Sequence, residues 1–341
     1  MLRFLSSMFA ASPGEPSGVD EALIEKAIER VVAGTDSRIC AVKGYQKQLH
    51  DPVAQAIIHV IKLVDELPPP IAIRPQAFGE EAQLRAFFVS TEHIRKVLGG
   101  FVSVRDYLKE SAILPPDEIF GLLTMTKEER KVFGMEIEGD NLRRDVMQLS
   151  VNFRNHHFIG PTDNEADTRR ELKIRAFDFL VEKALAQLTG ERGKRIELDR
   201  QRYLLAQKLD AMKAGQWGLD AMLDEGETHR PSLAQLEEKI NLIELELGQF
   251  RTEQLGLEES LALIVNTLGQ PADWLDSRQV SLCLDYRGIK LDGSAVARGN
   301  PITLNELYSC TGGERTVLFG RIARTDIPEP ADIWNAAKHY L

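Results

Sequence analysis

From Leu233 onward, apolar residues return at alternating steps of three and four: Leu233, Leu236, Ile240, Ile243, Leu247, Phe250, Leu257, Leu261, Ile264 and Leu268, with Gln254 the one polar member of the series. Chance rarely holds such a pattern over about five heptads, so it restricts this part of the chain to a coiled coil rather than a generic amphipathic helix. An upstream stretch carries a matching seam through Phe177, Val181, Ala184, Leu188, Glu191, Arg195, Leu198, Arg202, Leu205, Leu209 and Met212. Residues 214–231 between the two suffice to turn the chain around. The expectation is an antiparallel helical hairpin over 165–270. In its register Met212 faces Leu233, Leu205 faces Ile240, Leu188 faces Leu257 and Phe177 faces Leu268. Sliding by one heptad matches the apolar residues equally well. Only the chosen register sets the polar Gln254 against Glu191, and a buried unpaired amide costs about 1–3 kcal/mol.

Glu191 lies within Gly190-Glu191-Arg192-Gly193, where each glycine costs about 1 kcal/mol of helix propensity. A hinge is one reading; a tolerated irregularity in a solvated stalk is the simpler one. The charges of residues 191–202 have both signs and suit a solvated face better than a phosphate-binding patch.

The flanks differ in period. Residues 19–112 read as a helical bundle. Ile24, Ala27, Ile28 and Val31 form one apolar face, and Pro52 opens a helix whose stripe runs from Val53 to Val64. LPPPIAIRP (67–75) should be extended. Helix resumes near Glu80 with Leu84, Phe87, Phe88, Ile94 and Leu98 inward, and a last helix starts near Ser103. Pro115-Pro116 mark a boundary, after which the period becomes two. Residues 130–140 and 145–153 read as two antiparallel strands with one wet face, turning at EGDN (138–141), and 118–126 reads as a third strand. This is the first β segment, 113–164. In the second, 271–341, residues 279–291 alternate and turn at Arg287-Gly288, and TVLFGRIAR (316–324) is a strand. TLNEL (303–307) fits a capping box as well as a strand. Because an antiparallel hairpin returns the chain close to where it left, the two β segments should join in one sheet. The fold class is therefore α+β: an N-terminal helical bundle and an antiparallel β module, with a long coiled-coil hairpin inserted between two β segments.

The most site-like stretch is NFRNHHFIGP (152–161). Successive side chains on a strand point to opposite faces, so His156 and His157 cannot reach one metal together. Parity from Phe153 puts His157 on the inner face and His156 on the wet one. Asp163, Glu165 and Asp167 suit the start of a helix better than a ligand set. TGGER (311–315) precedes a strand and lacks the lysine of a phosphate loop, so it reads as a hairpin turn. Cys40 and Cys310 lack nucleophile signatures and are expected as buried small apolar residues. No catalytic, cofactor or metal motif is present, and no cofactor is expected.

Three cysteines, none in a CxxC, suit a reducing compartment, and the cytoplasm is the expected location. A net charge of −10 opposes binding to nucleic acid, including through the hairpin. Residues 1–18 form a flexible or amphipathic segment. Contact of residues 1–11 with a membrane or partner is a weak option, since Arg3 is its one cation. The function these features favour is that of a non-enzymatic interaction or scaffold protein, with a protein partner or self-association through the hairpin. Trp217, Leu219, Met222 and Leu223 in the connection are candidate contact residues or, more simply, a cap over the hairpin end near Met212 and Leu233. The alternative is an enzyme or ligand-binding protein with a site near Arg154, His156 and His157.

Overall fold

The computed structural model describes residues 20–111, 113, 115–138, 141–213, 233–249, 256–291, 299–310 and 313–328. The first residues, the 214–232 connection with Trp217, Leu219, Met222 and Leu223, and the C-terminal tail lie outside them. The fold is α+β. Contacts divide the described chain into two units, one of residues 56–178 and 271–328, the other of residues 20–55 and 179–270. Residues 20–55 thus cluster with the helices of the expected hairpin, and residues 56–111 with the sheet.

In the first unit, β2 (Glu118–Glu138), β3 (Asn141–Thr162), β4 (Asp276–Leu284), β5 (Asn300–Tyr308) and β6 (Glu314–Ala323) form one antiparallel sheet in the order β3-β2-β6-β5-β4. The two β segments meet as expected, through pairing of β2 with β6 from Glu118↔Ala323 to Met125↔Thr316. A short β1 (Ile71–Ala72) from the proline-rich run adds to β6 in parallel. One face of the sheet is covered by α3 (Ala82–Phe87), α4 (Thr91–Gly100) and α5 (Val102–Glu110), whose Leu84, Phe87, Phe88, Ile94, Leu98 and Val104 pack on Ile119, Leu123, Met125, Leu304 and Ile322. Leu122, Val317 and Phe319 on the other face pack with Leu63, Val64 and Leu172. Where β2 meets β6, helical segments thus cover both faces of the sheet.

Beyond Met125 the ribbon behaves differently. Residues 118–138 form one strand rather than two, since β3 goes on pairing through the charged stretch, with Glu128↔Asn152, Arg130↔Ser150 and Phe133↔Met147. β6 has ended by then, and residues 149–151 of β3 pair on their other edge with residues 288–290, the Val151 amide donating to the Gly288 carbonyl and the Lys290 amide to that of Leu149; beyond Leu149 the ribbon continues as a two-stranded arm. Its inner face carries on the core stripe of Phe153 and Val151 without a cover, leaving Phe133 77% exposed.

TLNEL is strand, not helix: residues 303–307 pair with β4, and Asn305, Glu306 and Leu307 also pair with β6. Glu306 consequently faces the core and is fully buried, held by Lys127 Nζ at 2.5 Å and Arg278 Nε at 3.0 Å. Burial pushes its carboxyl pKa up. Hydrogen bonds from Lys127 first, then those involving Glu314 and Arg278, outweigh that and hold it below the ordinary value. β5 and β6 pair antiparallel out to Tyr308↔Glu314, so Glu314 and Arg315, the last two residues of TGGER, belong to the strand, while Thr311 and Gly312 lie outside the described residues.

In the second unit, α1 (Glu21–Gly34) is capped by Asp20, and a 3₁₀ turn (Ser37–Ala41) by Asp36. α2 (Tyr45–Asp65), whose first half belongs to this unit, begins well before Pro52, which sits inside it; the helix tolerates the lost hydrogen bond because Leu49 and Val53 on its inner face are fully buried. α6 (Glu165–Lys213) is helical straight through Gly190 and Gly193. α7 (Leu233–Gln249) and α8 (Leu257–Gly269) follow. Ile24, Ala27, Ile28 and Val31 of α1, Val181, Ala184 and Leu188 of α6, and Leu261, Ile264 and Leu268 of α8 are buried. A Cβ on Gly34 would stand 2.7 Å from Val181 Cγ1, so the chain approaches closely where only glycine fits. Cys40 and Cys310 are exposed, not buried as expected, and Cys283 is the buried one. Cys40 sits in the short 3₁₀ turn, with Ile39 beside it taking the inward position. Among the described residues no helix is long and apolar enough to cross a membrane.

Candidate functional site

The histidine pair sits at a break in strand regularity. Asn155 adopts a left-handed conformation, φ 55°, and the β2–β3 register shifts between Thr124 and Thr126. This bulge inserts one residue and reverses the alternation. Phe153 and Phe158 are both buried although an even step separates neither from the other, and His156, not His157, turns inward. The expected assignment of faces is thus reversed. His156 stacks on Phe88 with centroids 5.0 Å apart, meets His93 edge-on at 5.5 Å, and its Nε2 lies 3.0 Å from the Phe87 carbonyl oxygen. Donation to that carbonyl puts the proton on Nε2. Burial lowers the His156 pKa; the Phe87 bond partly opposes this, and His93 and His157 add to it. His93 is lowered too, by burial and then by Lys96, and its Nδ1 accepts from the Val89 amide at 3.2 Å.

His157 is exposed on the opposite face, and Arg154 is exposed with its guanidinium 3.5 Å from Glu128. The three residues of the candidate β-module site therefore do not converge. His156 belongs to an aromatic cluster that joins β3 to α3 and α4. Among the described residues no group of three His, Cys, Asp or Glu is placed to hold a metal ion.

A second feature lies between α6 and α7. A groove of about 490 Å³ is lined by Gln201, Leu204 and Leu205 from one helix and Lys239, Leu242 and Ile243 from the other. Leu205 and Ile243 are seam residues and half-buried. Leu204 and Leu242 stand one position off the seam and are 53% and 61% exposed, and Leu245 on the outer side of α7 is 66% exposed. Lys239 is exposed one turn before these leucines and Glu244 is exposed between them. Water-facing leucines on both walls of one groove are an unsatisfied apolar surface, and Lys239 is the one ionisable side chain among its lining residues. The heptad seam alone does not reveal it. The signal was there in Leu204, Leu242 and Leu245, apolar residues among the charged and amide side chains of these helices.

No family model, curated protein or solved structure matches the chain.

Proposed function

We propose that the protein is a non-enzymatic interaction or scaffold protein whose partner surface is the α6–α7 pair, an antiparallel coiled-coil hairpin inserted between the two β segments, and that this surface takes a second copy of the chain. The observation that carries the reading is the pair of exposed leucines, Leu204 and Leu242, on the two walls of one groove. Leu205 and Ile243 together at its base favour the register in which Leu205 faces Ile240. Cysteines at those two positions, in a background without the native three, should cross-link within one chain.

A second copy suits the surface because the molecule carries both halves of the contact. The groove is one half, and the ridge formed by Leu242 and Leu245 on the outside of α7 is the other. Such a contact closes under two-fold symmetry. In an antiparallel approach of two α7 helices, Lys239 of each copy meets Glu244 of the other. Three half-exposed leucines per copy contribute about 1 kcal/mol each. For two copies this is about 6 kcal/mol, which would correspond to a Kd of about 40 μM before the freedom lost on association is counted, so assembly is weak, with Kd about 100 μM to several mM.

Sedimentation equilibrium across that range tests the proposal. Wild type should shift towards dimer, and Leu242→Glu with Leu245→Glu should stay monomeric with an unchanged melting temperature. A wild type that remains monomeric throughout, or a charged variant that associates equally well, overturns it.

A further inference from the structure

We propose that the cavity between α3 and the sheet of the first unit binds a small amphipathic anion, with an apolar body and a single carboxylate or phosphate head. The cavity measures about 420 Å³, within the usual size range of small-ligand pockets. Its floor is apolar and aromatic, formed by Phe78, Phe87, Phe153 and Ile302. Its polar residues gather at the rim, where Arg85 and Arg287 stand.

The two arginines differ. Arg287 is neutralised by Asp285 at 3.1 Å. Arg85 is half-buried and spends its hydrogen bond on a neutral group, the Gly79 carbonyl at 2.5 Å, and among the described residues it has no carboxylate partner. A partly desolvated guanidinium without a counter-charge, beside an apolar floor, favours an anion, because charge-assisted hydrogen bonds are about twice as strong as neutral ones. The rim also exposes apolar surface that the fold itself does not use, with Val89 85% and Tyr286 90% exposed. A ligand with an alkyl or aromatic body would cover Val89 and Tyr286 while its head reaches Arg85. His156 is not at this surface; it stacks behind Phe88 and fixes the wall from the far side.

The test uses decanoate as probe, by titration calorimetry on the full chain, with decanol as its uncharged homologue. Wild type should bind decanoate saturably at one site and decanol more weakly. Arg85→Gln should weaken decanoate about tenfold or more while leaving the fold intact, and Ala86→Trp, which fills the cavity, should abolish binding. Phosphatidylglycerol vesicles separate two sources of the head group: pelleting that decanoate competes away identifies a lipid, and decanoate binding without pelleting identifies a free acid. Absence of saturable decanoate binding, equal affinity for decanol, or affinity unchanged in a folded Arg85→Gln protein overturns the proposal.

Discussion

Replacing Lys127 by Met should destabilise the sheet unit through a residue it does not change. Glu306 is fully buried and its carboxylate has two cationic partners, Lys127, itself only 14% exposed, and Arg278, 51% exposed. Breaking a buried ion pair from one side costs about 3–5 kcal/mol, because the remaining charge stays buried without compensation. Arg278 still reaches Glu306 in the variant, but from the solvent side, where its charge is screened. The expected loss is therefore at the low end, about 3 kcal/mol. At about 2–4 °C per kcal/mol for a unit of this size, the melting temperature should fall by about 6–12 °C. The pH dependence identifies the cause. In wild type the Glu306 pKa is depressed, so its contribution is present above the unfolded carboxylate value of about 4.3 and is lost as pH falls through the folded value. In Lys127→Met the principal partner is gone, burial raises the carboxyl instead, and protonation relieves the uncompensated charge. The deficit relative to wild type should thus be largest at neutral pH and shrink on acidification. Lys127→Met combined with Glu306→Leu should recover most of the loss, since apolar replacement of a whole buried pair is often neutral. Urea unfolding of the three proteins at neutral and acidic pH measures all of this. A single-variant loss below about 1 kcal/mol, or a double variant as damaged as the single, would refute the reasoning.

His156 should sensitise the fold to acid. Its pKa is lowered, so its contribution is whole above the unfolded value of about 6.5 and is lost as pH falls from there towards the folded value, by at most about 1.4 kcal/mol per pH unit; His156→Phe should flatten that part of the stability profile, and an identical slope in both proteins would exclude His156 as its source. Gly190→Ala with Gly193→Ala should stabilise the second unit by about 1 kcal/mol per site, because an added Cβ meets nothing within 4 Å at either position; thermal unfolding checks it, and a lower melting temperature would mean the glycines serve something other than an ordinary helix. Gly121→Ala should cost about 1–3 kcal/mol, since its Cβ would stand 2.3 Å from the Phe158 ring in a packed core; chemical denaturation reads the loss, and an unaffected midpoint would show that the ring gives way.

The sequence displayed what period and composition can carry. The α+β class, the joining of two β segments in one sheet and the inward faces of Leu84, Phe87, Phe88, Ile94 and Leu98 all followed from repeats of two or of 3.6 residues. It failed where a distant partner overrides the local signal. Thr303 and Glu306 spell a capping box, yet neighbours on both sides claim Asn305, Glu306 and Leu307 for the ladder, and a cation on β2 makes the inward glutamate tolerable. Lys127-Glu128-Glu129 read as a link between strands because charges are rare in buried strands. Lys127 is compensated by the buried Glu306, Glu128 and Glu129 stay partly exposed, and β3 keeps all three in register.

The histidines show why a site is harder to read than a fold. Strand parity is a chain of inferences, each residue fixed by its neighbour, so a single bulge reverses everything beyond it. Asn155 is among the few residue types that enter the left-handed region readily, and it stands directly before the pair. Asparagine there was compatible with a bulge but did not require one. The shift is imposed by β2, whose pairing must accommodate both Phe153 and Phe158 on the covered face. The same limit applies to the groove and the cavity. Leu204 and Leu242 lie far apart in the chain, as do Arg85 and Phe153, and nothing local to any of them announces the other. What the sequence offered was a residue out of keeping with its surroundings: a leucine on a polar face, an arginine beside alanine and phenylalanine. Such misfits are the positions where a partner has still to be found, and in both places the partner is predicted to come from outside the chain.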